Sequence, residues 1–194
     1  MPASMVHLLL ARKVDPDAPT LFYIGNIAPD AVSEWKIKDK THFRDIEDRT
    51  DTIKDLALHL DINDAFSHGV LLHLFLDWKW DIGPFAKFKA EREGTDWFKA
   101  YRHELSLSGI WLYRRKPWSK VIWKNMAETD PSCFGHLDYI SREDISRYIR
   151  RNYVWHEESN FGPSSVFTPE FVESFTDKAA PDFAEWKKEI GLIR

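Results

Sequence analysis

Residues 66–80 read FSHGVLLHLFLDWKW, the longest apolar run in the chain. Asp64 or Asn63 can cap its start, and Gly83-Pro84 is expected to stop it. Its length predicts a helix rather than a strand. Apolar residues point in almost every direction around that helix, so it belongs in the middle of the molecule. His73 and Asp77 break the pattern. Four residues apart, they share one helix face. A carboxylate in a core is costly unless it is paired or bound to a metal. Two readings of the pair stay open: a structural hydrogen-bonded couple, or two ligands of a divalent cation.

Upstream of this run, Ser4 to Val14 predicts a short helix with Val6, Leu9 and Leu10 as its stripe and His7 beside it. Pro19 opens a second helix, Thr20 to Asn26. Pro29 is expected to push Ala28 out of helical geometry and leave Asp30 at a sharp break. Residues 33–40 read as a polar loop leading to Lys40-Thr41-His42-Phe43, where the histidine belongs to no apolar stripe. Asp45 to Leu60 keeps helical spacing at Ile46, Ile53, Leu56, Ala57 and Leu60, and turns His59 to solvent.

Downstream, Phe85 and Phe88 begin a short helix that Gly94 ends, and a longer one runs from Trp97 to about Arg115. Pro117 opens another, with Val121, Ile122 and Met126 on one side. Ser141-x-x-Asp144 forms a capping box for Arg142 to Trp155. Thr168-Pro169-Glu170 starts a helix, and Phe183 to Ile190 reads as a separate, last one. There is no strand pair, hairpin signal, repeat or low-complexity tract. The expected fold is all-α, a single domain over residues 1–194 built as a multi-helix bundle around helix 66–80.

Composition narrows the function. A net charge of −4 gives no basic footprint, so no nucleic acid is expected as a partner. No run is long and apolar enough to span a membrane, and MPASMVHLLLARK lacks the basic region and long apolar core of a signal peptide, which points to the cytoplasm. Cys133 is the single cysteine, so no intrachain disulfide forms, in keeping with a reducing compartment. With nine Trp and thirteen Phe but no clustered basic face, the aromatic residues read as core and cleft lining rather than a membrane belt.

The polar residues of the first half carry the chemistry. His7, Asp30, His42, His73 and Asp77 are nitrogen and carboxylate donors without a thiolate, a set that suits zinc and also iron, nickel or manganese. Met1-Pro2 with His7, Gly25-x-Ile27-Ala28-Pro29-Asp30, Lys40-Thr41-His42-Phe43 and Gly69-x-Leu71-Leu72-His73-Leu74-x-x-Asp77-Trp78 together resemble the zinc-dependent phospholipase C family, whose helical fold is shared with P1-type nucleases. The resemblance spans roughly the first 80 residues; the remainder of the chain shows no comparable motif.

That resemblance implies a metal-dependent hydrolase that cleaves a small-molecule or lipid phosphoester with metal-activated water. It implies one zinc surrounded by Asp30, His42, His73 and Asp77, and a second held by Asp77 and His7, with Asp30 as general base. The family's third zinc takes two histidines and a glutamate soon after the central helix. Here the next histidine is His103, beside Glu104, and the spacing does not match. Two other readings stand beside the hydrolase: an HD-type phosphohydrolase, which needs an adjacent His-Asp dipeptide that this chain lacks, and a non-enzymatic metal-binding helical domain. His68, five residues before His73, points to another face. His136 and His156 read as turn residues, and Arg114-Arg115-Lys116 and Arg150-Arg151 as solvated helix ends.

Overall fold

A computed structural model of the chain describes residues 1–193. It is all-helical: α1 (Ser4–Val14), α2 (Thr20–Ile27), α3 (Trp35–Thr41), α4 (Arg49–His59), α5 (Ala65–Trp80), α6 (Ala86–Ala90), α7 (Trp97–Arg115), α8 (Ser119–Glu128), α9 (Arg142–Glu158) and α10 (Pro169–Glu189). No strand forms among the described residues; the only β-type contact is an isolated bridge between Leu137 and Ile140. None of the helices is long and apolar enough to cross a membrane.

Helix α5 runs through the middle. Asp64 caps it, its carboxylate accepting from the Ser67 N–H at 2.8 Å, and Phe66, Trp80 and every residue from Gly69 to Asp77 are buried. Helix α1 is sunk almost as deeply, with Met5 to Ala11 all buried. The apolar side chains around these two helices each contribute about 1.5–3 kcal/mol on burial, which offsets the cost of placing polar groups among them.

Helix α2 lies directly on α5, backbone against backbone. Two glycines make this possible. A Cβ on Gly25 would meet the Phe66 carbonyl oxygen at 2.0 Å, and one on Gly69 would meet the Phe22 carbonyl oxygen at 2.1 Å. The approach brings the carbonyl of Asn26 against the side chain of His73. Asn26 itself joins three helices. With its amide turned so that donor meets acceptor, Nδ2 donates to the His7 carbonyl at 2.8 Å and Oδ1 accepts from the His73 N–H at 3.3 Å.

The second half of the chain wraps this centre. Trp80, at the end of α5, packs among Phe167, Phe171 and Phe175. Phe183 and Trp186 of α10 pack on Phe75.

Several local expectations change. Residues 35–41 are helical, not a loop: Trp35 to Thr41 form α3, with no buried residue to show an apolar period. Helix α4 begins at Arg49 rather than Asp45, so Ile46 lies outside it and is exposed. Gly83-Pro84 does not stop the central helix. A π-helical turn over Asp81–Phe85 widens the coil and leads into α6, which relieves the clash of the proline ring with the preceding turn. Ala28 stays helical (φ −61°, ψ −38°), because Pro29 occupies the first turn of a short 3-10 helix, where its missing N–H costs nothing.

Val121 faces solvent. The last helix is continuous through Pro181, and Phe183 belongs to it. Its buried stripe of Val172, Thr176, Ala179, Phe183 and Trp186 holds the helix together across the lost hydrogen bond. The capping box at Ser141 and Asp144 is present as expected.

Candidate metal centre

The five polar residues of the first half arrive from separate elements. His7 comes from the middle of α1, Asp30 from the 3-10 turn after α2, His42 from the residue that ends α3, and His73 and Asp77 from one face of α5. All five side chains are buried, four of them with no exposure and Asp30 with 5%.

Their hydrogen bonds assign the imidazole tautomers. His42 Nδ1 lies 2.8 Å from the Lys38 carbonyl oxygen, and His73 Nδ1 lies 2.8 Å from the Asn26 carbonyl oxygen. A carbonyl only accepts, so each Nδ1 carries a proton and donates it. In the neutral rings Nε2 is then a bare lone pair. These two nitrogens, His42 Nε2 and His73 Nε2, face each other 3.0 Å apart in the core. With both rings neutral, neither can donate to the other, and a cation between them would make the arrangement favourable. Burial, reinforced by His7 stacked on its ring at 4.1 Å, holds His73 well below the usual histidine range, so His73 itself is a poor carrier of a proton there.

The carboxylates complete the site. Asp77 Oδ2 is 3.3 Å from His42 Nε2 and 3.7 Å from His73 Nε2; Asp30 Oδ1 is 3.4 Å from His42 Nε2, and Asp77 Oδ1 is 3.4 Å from His7 Nε2. None of these is an aligned hydrogen bond. Asp77 Oδ1, Asp30 Oδ1 and both nitrogens of His7 are buried without a hydrogen-bond partner. Burial alone would raise both carboxyls. The Lys38 ammonium and His42 overcome it at Asp30, and His7, His73 and the chain's first amine overcome it at Asp77, so both are held well below the carboxylate range.

A divalent ion fits this donor set. Ligand bonds of about 2.0–2.2 Å place neighbouring ligand atoms of a tetrahedral site about 3.3 Å apart, and the contacts above cluster at that separation. Two overlapping groups are close enough to hold an ion: His42, His73 and Asp77, and His7, Asp30 and His73. His7 thus groups with Asp30 and His73, and its Nε2 also lies 3.4 Å from Asp77 Oδ1, the pairing that the resemblance implies for a second ion.

Residues that the sequence did not mark surround the cluster. Arg44 Nη2 lies 3.2 Å from Asp77 Oδ2 and 2.7 Å from Asp81 Oδ2. Asp81 also accepts from Arg49 at 2.7 Å and from the amine of Met1 at 3.2 Å. That amine therefore points to Asp81 and to the hydroxyl of Tyr101. A four-residue step from Asp77, just past the end of α5, was the one signal that could have found Asp81. Lys38, 3.0 Å from Asp30 Oδ1, neutralises that carboxylate from within α3.

A cleft of about 740 Å³ opens over this edge of the cluster, lined by Asp30, Lys38, Arg44 and Asp81, and walled by residues of α7 and α9. The remaining histidines lie elsewhere. His59, His103 and His136 are exposed. Glu104 is engaged by the 164–166 loop, where its carboxylate accepts from the N–H groups of Ser165 and Val166. His68 accepts from the Lys187 ammonium at 3.2 Å. His156 is not a turn residue: it is buried in α9, its Nδ1–H donating to the Asn152 carbonyl at 2.7 Å.

Comparison with protein-family models, with curated proteins and with solved structures finds no match to this chain.

Proposed function

We propose that the chain is a metal-dependent phosphoester hydrolase, with a helical scaffold of the kind found in zinc-dependent phospholipases C and P1-type nucleases and with zinc as its ion. The observation that carries this reading is the pair of imidazole lone pairs 3.0 Å apart between two ionised carboxylates, a buried arrangement that calls for a divalent cation. Asp30, His42, His73 and Asp77 hold one ion, and His7 adds a second position. The ion supplies Lewis acidity toward a water and a phosphoryl oxygen.

The chain's own residues supply the rest. Asp30 lines the cleft as an ionised carboxylate paired with Lys38, and in this reading it takes the proton of an attacking water there. Lys38 and Arg44 place positive charge at the cleft edge, where they can bind the non-bridging oxygens of the substrate. Arg44 also fixes Asp77 against Asp81. A purely metal-stabilised domain has no use for a cleft that reaches a ligand carboxylate. The HD-type alternative is disfavoured by the absence of an adjacent His-Asp pair.

Elemental analysis of the purified protein, followed by a panel of phosphomonoesters and phosphodiesters, tests the reading. Bound metal with turnover supports it. Bound metal with no turnover across the panel leaves a metal centre and removes the hydrolase.

A further inference from the structure

The cleft above Asp30 holds more positive charge than its carboxylates use. Three carboxylates line it: Asp30, Asp39 and Asp81. Asp30 is taken by Lys38, and Asp81 by Arg44, Arg49 and the Met1 amine. The opposite wall brings Arg102 from α7 and Arg151 from α9 to the same cleft. Among the described residues neither guanidinium has a carboxylate within ion-pair distance. Arg151 only lies over the ring of Tyr148, 5.7 Å from its centroid. Among the described residues Asp39 is the one cleft carboxylate without an ion pair, so the two arginines exceed the acid available to them.

Tyr148 links this wall to the metal centre. Its hydroxyl is 2.9 Å from Ser4 Oγ, at the start of the helix that carries His7. It lies within electrostatic reach of Asp30, Arg151 and Arg102 alike. A ligand filling the cleft from the metal centre toward α7 and α9 would therefore meet the cluster at one end and two free planar cations at the other. A guanidinium matches a carboxylate or phosphate with two parallel hydrogen bonds.

We propose that Arg102 and Arg151 form a second anion subsite, and that the substrate is a phosphoester bearing a second acidic group, a carboxylate or a further phosphate. The reacting phosphoryl group sits at the metal centre and the second anion at the arginine pair. This rests on the phosphoester reading for the first end only; the second end is a binding claim and can be measured without turnover.

Calorimetry on the zinc-loaded full chain with propylphosphonate and phosphonopropionate, which differ by one carboxylate, tests it. Phosphonopropionate is expected to bind about tenfold more tightly, as one charge-assisted contact implies. R102Q/R151Q should erase that preference while keeping the affinity for propylphosphonate. R147Q removes an exposed arginine that does not line this cleft and should leave the preference intact. Equal affinities in the wild type, a preference that survives in R102Q/R151Q, or no binding of either phosphonate overturns the subsite. Both arginines are exposed, so the double variant should fold, and its circular dichroism checks this. A preference seen without turnover of any phosphoester sinks the hydrolase and keeps the subsite; turnover without a preference does the reverse.

Discussion

At the scale of single residues, Asp77 is the side chain on which the buried cluster depends. It contacts His7, His42 and Arg44 at once, and its charge offsets whatever cation sits between the imidazoles. Asp77→Asn keeps the shape, and the new amide can donate to His42 Nε2, so the fold should hold. Metal affinity is expected to fall by at least about 100-fold, more than a supporting residue costs. Metal-to-protein ratio by elemental analysis reads this directly, and unchanged stoichiometry would exclude Asp77 as a ligand. If His73 and Asp77 were only a structural couple, the same variant would lose stability and the wild type would carry no metal.

His156 supports a second prediction at this scale. Burial among Tyr113, Trp123 and Trp155 pushes it from 6.5 down to about 4. The unfolded chain takes up the proton first as pH falls. The contribution of neutral His156 is thus complete above about pH 6.5 and drains away between there and about pH 4. At pH 5 the loss is about 2 kcal/mol. His156→Phe keeps the volume and removes the titration. Denaturant unfolding should therefore show the wild type losing about 2 kcal/mol relative to the variant as pH falls from 7 to 5. A constant difference would mean that His156 does not titrate across that range.

Among elements, the α2–α5 contact decides whether the site assembles. Gly69→Ala puts a methyl 2.1 Å from the Phe22 carbonyl oxygen and 2.7 Å from the Asn26 nitrogen. Neither is the movable end of a side chain, so the helices must separate, at a cost of about 3 kcal/mol. Separation also pulls the Asn26 carbonyl away from His73 Nδ1, so metal affinity should fall although no ligand has changed. Thermal melts and metal titration of the same sample check both halves. Gly83→Ala is the contrast. A Cβ there meets nothing within 4 Å, and replacing a glycine in the π-turn should stabilise the chain by about 0.5 kcal/mol. A large loss at Gly83 would mean that the turn needs the freedom of glycine.

Across the whole molecule, the candidate ligands come from α1, the turn after α2, α3 and α5, so an ion among them would join four separate elements and link metal to fold. Removing it leaves facing lone pairs and unpaired carboxylates in the core. Chelation should therefore lower the melting temperature, and added zinc should raise it with concentration. The gain should be about 2.7 kcal/mol at a hundredfold excess over Kd. A melting temperature indifferent to chelator and to zinc, in protein shown to contain metal, would place the ion outside this cluster.

The helical class, the central position of residues 66–80 and the oddity of His73 and Asp77 within it are legible in the sequence, while His7, Asp30 and His42 become candidates through the motifs that carry the resemblance. Apolar periodicity is a property of neighbouring residues, and a histidine and an aspartate inside a core run stand out against it. The sequence also narrows the cap of α5 to Asp64 or Asn63, of which Asp64 serves, and finds the capping box of Ser141 with Asp144, because capping is settled within three residues. It misreads α3, which has no buried stripe, the run past Pro84, where a π-turn accommodates the proline ring, and the helix through Pro181, where a buried stripe outweighs a local breaker.

Tertiary structure alone decided the rest. Only the backbone contact at Gly25 and Gly69 reveals that Asn26 orients His73, and only the assembled cleft brings Arg102 and Arg151 to the same space as Asp30. Those relations join residues more than forty positions apart. They depend on how closely two helices approach and which wall faces which, and neither leaves a period or a motif in the chain.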